Sequence, residues 1–260
     1  MIKTPAESLI DNWALVTGSS GGIGSQIARD LAFAGANLIL HTHHNLPKAK
    51  SLAKEIISLG PRAEVVQWDF SETHRCGDFA DAVWQIAPID ILVNNAGVDV
   101  LTGEAAKWSF SKKLDRLWQV DVCATIELSR SFGFRMQERG TGVIINMGWD
   151  QVEHGMAGDS GEMFATIKGA VMAFTRSLAK SLAPQVRVNC VAPGWIQTEW
   201  GENASEYWQK RARGEALVDR WGTPADVASA VRFLASPAAS FINGQIINVN
   251  GGWAGFADPR

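Results

Sequence analysis

The stretch Trp13–Gly24, WALVTGSSGGIG, decides how the rest of the chain is read. Trp13–Val16 is a short, uncharged apolar run, the pattern of a strand buried on both faces of a parallel sheet. Gly18, Gly22 and Gly24 follow in a T-G-x-x-x-G-x-G spacing, and Ile23, Ile27 and Leu31 then recur at helical intervals. Glycines in such a strand-to-helix turn adopt backbone angles denied to other residues and let the main chain come close to a pyrophosphate. The helix start behind them offers unpaired N–H groups and a positive dipole end to the same anion. An ordinary Gly-rich turn has the same local appearance, so the motif takes its meaning from what surrounds it.

Outward from this turn, strand and helix patterns alternate. Asn37–Leu40, Ala63–Gln67, Ile89–Val93, Gly142–Met147, Val186–Val191 and Gln245–Val249 read as strands. Helical patterns cover Leu46–Leu59, Phe79–Ile86, Lys112–Glu138, Glu162–Ala183, Ala204–Gly214 and Ala225–Ala235, and residues 150–162 read as a loop. Repeated βα units of this size predict an α/β fold, a doubly wound Rossmann-type parallel sheet with helices on both faces and ligands at the carboxyl ends of its strands. At 260 residues and 46% hydrophobic, the chain suits one domain over residues 1–260 with an ample core.

Composition narrows the functional classes. A net charge of -3 gives no basic footprint for nucleic acid or an acidic membrane surface. No apolar run reaches membrane-spanning length, and MIKTPAESLIDN lacks a signal-peptide core. Cys76, Cys123 and Cys190 are scattered without metal-ligand spacing, which predicts a reduced cytoplasmic protein with no metal site. Eleven tryptophans stand against a single tyrosine, Tyr207, an imbalance that bears on the chemistry.

TGSSGGIG at 17–24, Asp69, NNAG at 94–97, Lys168, VNCVAPG at 188–194, RWGTPADVA at 220–228 and GQIINVNGG at 244–252 together resemble the short-chain dehydrogenase/reductase family, in its order and spacing. The resemblance runs from Trp13 to about Trp253 and implies about seven strands, a nicotinamide cofactor, a small-molecule substrate and a homotetramer or homodimer. It places Gly18, Ser20, Gly22, Ile23 and Gly24 at the pyrophosphate turn and Asp69 at the adenine amino group. Asn94, Asn95, Ala96 and Gly97 fall behind the adenine ribose, and Lys168 beside the nicotinamide ribose. Pro193 and Gly194 make the turn leading to Ile196 and Thr198, the pair that holds the carboxamide.

Coenzyme choice should be written at the end of the second strand, where NAD-dependent relatives place a carboxylate on the ribose hydroxyls. That position is Thr42, within His41-Thr42-His43-His44-Asn45, and no acid is present. Imidazoles, a hydroxyl and an amide can meet a 2′-phosphate, which favours NADP(H) and leaves NAD(H) as the alternative.

The family's proton chemistry is not found where the resemblance would put it. Relatives carry a tyrosine four residues before the lysine, and that position is Phe164; a phenyl ring has no proton to give. The family serine falls on Trp149, with Gly148 and Asp150 as neighbouring alternatives, and the family asparagine falls on Asp121. Asp121 could pair with Lys168, and Asp150, His154, Asp159 and Glu162 are substitute acids in the 150–162 loop. Phe164, Trp149 and Trp195 should flank the nicotinamide, with Trp200, Tyr207 and Trp208 in a substrate-covering segment at about 195–215. Aromatic faces attract cations and flat rings. HTHHN and INM-then-Asp also resemble pteridine reductases, which reduce C=N bonds but keep their tyrosine.

Hydride transfer needs an enzymatic acid only where an alkoxide would otherwise develop. These residues therefore predict an oxidoreductase acting on a C=N or conjugated C=C bond in a flat or aromatic-compatible molecule rather than on simple ketones. A cofactor-binding sensor or partner subunit without turnover fits the same residues. So does lyase or isomerase chemistry beside a vestigial cofactor site, although the complete glycine turn argues against that.

Overall fold

Alternation along the first strand shows how the two faces of the sheet are divided. In the computed structural model, which describes residues 8–198, 201 and 204–255, strand β1 spans Trp13–Val16. Ala14 and Val16 belong to one apolar core and Leu15 to the other. Both faces of the strand are dry, as expected of a parallel sheet covered on each side.

The chain continues through α1 (Gly22–Phe33), β2 (Asn37–Thr42), α2 (Leu46–Ser58), β3 (Ala63–Gln67), α3 (Cys76–Ile86) and β4 (Ile91–Asn94). Helices α4 (Phe110–Leu117) and α5 (Ala124–Arg139) follow, joined by a π-helical turn over Trp118–Cys123, then β5 (Gly142–Met147). The remainder is α6 (Gln151–His154), α7 (Asp159–Leu182), β6 (Val186–Pro193), α8 (Glu206–Glu215), α9 (Pro224–Ala235) and β7 (Ile246–Val249). The seven strands lie in the order β3-β2-β1-β4-β5-β6-β7, each pairing parallel with its neighbours. The order reverses between β1 and β4, and the crevice beyond their carboxyl ends is where such sheets bind ligands. Among the described residues no helix is long and apolar enough to cross a membrane.

One core joins the sheet to α1, α2 and α9 through Ile27, Leu31, Leu52, Ile56, Val227 and Val231. The other joins it to α3, α5 and α7 through Phe79, Val83, Leu128, Phe132, Leu178 and Leu182. The sheet is thereby gripped on both faces, and its carboxyl edge is a rigid platform.

Beyond shifts of a few residues at other element ends, four segments differ from the sequence reading for a local reason. Strand β2 runs two residues past Leu40, because His41 is buried against Phe70 and Phe79 at ring distances of 4.1 and 5.5 Å and continues the strand's pattern. Strand β6 likewise extends to Pro193, whose partner in β7 is Val249. The long helix predicted over Lys112–Glu138 is interrupted by its π-helical turn, a distortion frequent at functional sites. The predicted 150–162 loop is mostly helix: α6 covers Gln151–His154 and α7 starts at Asp159.

Candidate active site

Two cavities open along the carboxyl edge and share Asn95 in their walls. The first, of about 550 Å³, is lined by Gly18, Ser20, Gly21, Thr42, His43, His44, Asp69, Asn95, Ala96 and Gly97. The second, of about 370 Å³, is lined by Ile23, Trp149, Phe164, Lys168, Pro193, Gly194, Trp195, Ile196, Thr198 and Trp208. Residues scattered over most of the chain are thus brought into one crevice at the switch point.

The glycine turn is built by close backbone approach. A Cβ on Gly24 would lie 2.2 Å from the Gly18 carbonyl oxygen, and one on Gly18 would lie 2.8 Å from Ala96 Cα. Gly18 and Gly22 also have φ of 64° and 53°, which favours glycine. Asn95 clamps the turn, its Nδ2 donating to the Thr17 and Gly18 carbonyls at 3.0 and 3.1 Å. Thr17 Oγ1 in turn accepts the N–H groups of Asn95 and Ala96, both at 2.9 Å. Helix α1 starts without a side-chain cap or an acidic residue in its first turn, so its N–H groups face outward unneutralised. A Cβ on Gly21 would meet nothing within 4 Å. An open cradle of donors beside a helix start fits a dinucleotide pyrophosphate.

The histidines divide into two roles. His41 is not a phosphate ligand: its Nδ1 accepts the Gly18 N–H at 3.1 Å, and Nε2 lies 3.1 Å from the Trp68 carbonyl oxygen. Burial pushes its imidazole down to about 4, so it stays neutral and supports the glycine turn. His43 and His44 lie against each other on the cavity wall, ring centroids 3.4 Å apart and planes tilted by 35°, and His43 Nε2 is 3.4 Å from Asp69 Oδ2. Partial burial, with the neighbouring His44 and Arg116, holds the His43 imidazole below its ordinary value despite Asp69. Burial alone would raise the Asp69 carboxyl, but the N–H and hydroxyl of Ser71 and the charges of His43 and Arg116 bring it below the usual carboxylate range. Arg116, on α4, is the permanent cation of this cavity, and sequence reasoning missed it. Asn94, expected behind the adenine ribose, is instead buried and donates to Ser129 Oγ and Asn146 Oδ1, both at 2.8 Å.

In the second cavity, Trp149 and Phe164 meet edge to face with ring centroids 6.2 Å apart. Of the three residues after β5, Trp149 carries its side chain into this cavity. A Cβ on Gly148 would lie 2.8 Å from Cys190 Sγ. Asp150 is turned behind the cavity wall, where its Oδ2 accepts Asn250 Nδ2 at 3.1 Å. Lys168 Nζ donates to Asp121 Oδ2 at 2.9 Å, and Asp121 Oδ1 accepts the Val98 N–H at 3.0 Å. Asp121 sits on the π-helical turn, which aims this buried carboxylate at the lysine.

Asp150 is therefore neither a solvated loop charge nor part of the cavity lining. It shares a small buried space with Trp195, Glu215 and Asn250. Burial pushes its carboxyl up to about 6, and its Oδ1 lacks a hydrogen-bond partner among the described residues. The carboxylate of Glu215 accepts from Gln151 Nε2 at 3.0 Å, Trp195 Nε1 at 2.5 Å and Arg211 Nε at 2.7 Å, fixing one wall of the cavity. His154 stacks on Trp253 at 4.2 Å, while Asp159 and Glu162 are exposed on the first turn of α7, so none of these three lines the cavity. Tyr207 is 44% exposed at the mouth of the covering segment, and Trp200 lies outside the described residues. Leu101, Met156 and Ser160 line the cavity and were not foreseen. Among the described residues no cluster of side chains could hold a metal ion.

Comparison with known proteins agrees with this geometry. Residues 18–254 match the family described as enoyl-(acyl carrier protein) reductase. The chain is 33% identical over 248 residues to 3-oxoacyl-(acyl-carrier-protein) reductase FabG of Aquifex aeolicus, covering 92% of this chain and 96% of the relative. It is 36% identical to 2-dehydro-3-deoxy-D-gluconate 5-dehydrogenase of Pseudoalteromonas atlantica, covering 95% and 98%. Among solved structures, a 3-oxoacyl (acyl-carrier-protein) reductase from Agrobacterium tumefaciens with NADP bound superposes with a TM-score of 0.87. It is 30% identical, with 97% of this chain and 98% of that one covered. The chain belongs to the short-chain dehydrogenase/reductase family, whose members are NAD(P)-dependent oxidoreductases.

Proposed function

We propose that this protein is an NADP(H)-preferring oxidoreductase that moves hydride to or from a flat or aromatic-compatible small molecule at a C=N or conjugated C=C bond. It does so without the tyrosine and serine that its family uses to move protons. One observation carries the reading: Phe164 and Trp149 form an apolar edge-to-face wall beside Lys168. A phenyl ring can neither donate nor accept a proton, and the lysine ammonium is engaged by the buried Asp121. A ketone would develop alkoxide charge against this wall with no matched acid in reach. A cationic C=N carbon needs no acid, and a conjugated C=C can take its proton from solvent.

A bound nicotinamide coenzyme would supply or accept the hydride. The glycine turn and the start of α1 would hold its pyrophosphate, with Asp69, His43, His44 and Arg116 at the adenosine end. Thr42 in the position of the NAD-selecting acid, together with the Arg116 cation, supports NADP(H) over NAD(H). Ile196 and Thr198 would hold the carboxamide, and Asp121 would keep Lys168 at the ribose side of the second cavity. Trp149, Phe164, Trp195 and Trp208 would orient a flat or cationic substrate by their ring faces and exclude water. The name of the matching family, an enoyl reductase, agrees with conjugated C=C chemistry.

The Asp121–Lys168 pair also favours a second reading, a cofactor-binding sensor or partner subunit without turnover. Free thiols at Cys76, Cys123 and Cys190 support a cytoplasmic setting. Trp118 and Phe134, each 41% exposed, support burial of α5 and the turn before it in a homotetramer or homodimer. The deciding experiment follows absorbance of the dihydronicotinamide in mixtures of protein, NADPH and cyclic imines, pterins, enones or ketones. Depletion with imines or enones, but not with simple ketones, is expected. NADPH binding without depletion across the panel would establish the sensor reading instead.

A further inference from the structure

Helix α7 presents one residue per turn to the second cavity: Ser160, Phe164 and Lys168. The spacing of four keeps all three on one face of the helix. Ser160 is partly buried there. The other four hydroxyls of the helix are folded back onto its own carbonyls: Thr166 onto Glu162, Thr175 onto Val171, Ser177 onto Ala173 and Ser181 onto Ser177. Such back-bonding is the usual fate of a helical hydroxyl. Ser160 lies in the first turn, and among the described residues its hydroxyl has no hydrogen-bond partner.

Three of the cavity's other polar side chains are committed, and the Trp149 indole N–H is not among them. Lys168 is bound to Asp121, Asn95 to the glycine turn and Trp195 Nε1 to Glu215. The one further hydroxyl in the wall, Thr198, stands at the coenzyme end, its Cγ2 3.9 Å from where a Gly22 Cβ would be. Ser160 therefore offers a hydroxyl to a mostly aromatic and aliphatic wall, two helical turns along α7 from Lys168.

We propose that Ser160 is a specificity-determining residue that hydrogen-bonds a polar substituent of the substrate, set about 6 Å from the carbon that exchanges hydride. The distance is that of one helical turn, four residues at about 1.5 Å each, separating Ser160 from Phe164. This deepens the proposed function and rests on its placing of the reacting bond beside Phe164. A serine hydroxyl is too weak an acid to replace a tyrosine as proton donor, so its role is orientation. The substrate class is then a fused or extended flat ring system, apolar where it crosses Phe164 and Trp149, with a hydroxyl or carbonyl group at its far end.

The test measures binding rather than turnover. Isoquinoline resembles a flat C=N substrate but resists reduction, and its 6-hydroxy derivative places oxygen about 6 Å from C1, one helical turn away. Its 8-hydroxy isomer places oxygen beside C1. Dissociation constants are measured with the NADPH-loaded protein by quenching of tryptophan fluorescence. The 6-hydroxy compound should bind about fivefold to tenfold more tightly than isoquinoline, the worth of one hydrogen bond. That advantage should vanish in Ser160→Ala, while the affinities of isoquinoline and its 8-hydroxy isomer stay unchanged. Equal affinity for all three probes, a loss in Ser160→Ala shared by all three, or no binding of any would overturn the proposal. Turnover of 3,4-dihydroisoquinoline by the same samples is read separately. Its absence, with the 6-hydroxy preference intact, would count against the proposed reaction and leave the Ser160 contact standing.

Discussion

The two cavities sit on one sheet edge and share Asn95, yet they are built from different materials. The first is shaped by the main chain: glycines that admit no Cβ, carbonyls clamped by Asn95 and uncapped N–H groups at the start of α1. The second is shaped by side chains, chiefly Trp149, Phe164, Trp195 and Trp208, with one ion pair at its edge. Backbone shape is dictated by the fold, so the first cavity can stay the same while sequence drifts around it. Side-chain shape changes with a single substitution, so the second cavity is where one scaffold acquires different chemistry.

The largest expected effect comes from restoring hydroxyls to the second cavity. Phe164→Tyr alone should gain little ketone reduction, because Trp149 offers an indole N–H and ring bulk but no hydroxyl where the family serine would stand. Phe164→Tyr with Trp149→Ser should exceed the single variant by about 100-fold, the lower end of what positioned acid–base groups supply. Steady-state rates with a simple cyclic ketone check this, and full activity from the single change would show that Trp149 is not the serine's counterpart.

The first cavity should break differently. In Gly24→Ala the new methyl would meet the Gly18 carbonyl oxygen at 2.2 Å and Asn95 Nδ2 at 2.4 Å. Overpacking of about 1–3 kcal/mol at this turn should weaken NADPH binding by about 10- to 100-fold in a calorimetric titration. Unchanged affinity would mean that the turn is not where the coenzyme is gripped.

Asp150 tests the wall between the second cavity and the protein interior. Burial raises its carboxyl to about 6, above the ordinary 3.8, despite the Asn250 hydrogen bond; Glu215 adds to the rise and His154 opposes it. The native state therefore holds this proton more tightly than the unfolded chain does. Asp150 contributes stability that is fully present below about pH 4 and is lost as pH rises through about 6. Asp150→Asn should flatten that part of the pH–stability curve and gain about 2–3 kcal/mol at pH 7 in denaturant unfolding. A variant as pH-dependent as the parent would refute the assignment.

The smallest effect belongs to the adenosine end. Arg116 is partly exposed and 3.9 Å from Asp69, so its charge is screened. Arg116→Ala should weaken NADPH more than NADH, by a factor of up to about five. Equal losses for both would remove Arg116 from the choice of coenzyme.

The same contrast explains what was legible in the sequence. The glycine turn and Lys168 could be placed because backbone requirements leave fixed residue types at fixed spacings, and Gly18 and Asp69 line the first cavity and Thr198 the second. Arg116 could not be found, since a lone arginine in an amphipathic helix resembles a solvated charge until the fold brings it to Asp69. His41 was misplaced because strand β2 carries on beneath it, and only the Gly18 and Trp68 contacts show its role. Asp150 follows Trp149 by one residue, and which of the two enters the cavity depends on a turn after β5 that has no sequence signature. Ser160 did have a signal, the spacing of four to Phe164 and again to Lys168, but the polar run Asp159-Ser160-Gly161 has the composition of a loop and hides that α7 starts at Asp159.

The central claim is that hydride moves here without an acid from the protein. A matched pair tests it most directly: N-methyl-3,4-dihydroisoquinolinium, whose reduction requires no proton, and 1-tetralone, a similar bicycle whose reduction does. NADPH oxidation is followed with each from pH 6 to 9. The proposal expects turnover of the iminium at a rate that does not fall as pH rises, and no measurable turnover of the ketone. Comparable reduction of 1-tetralone, or an iminium rate that follows the titration of a protein acid, would contradict it.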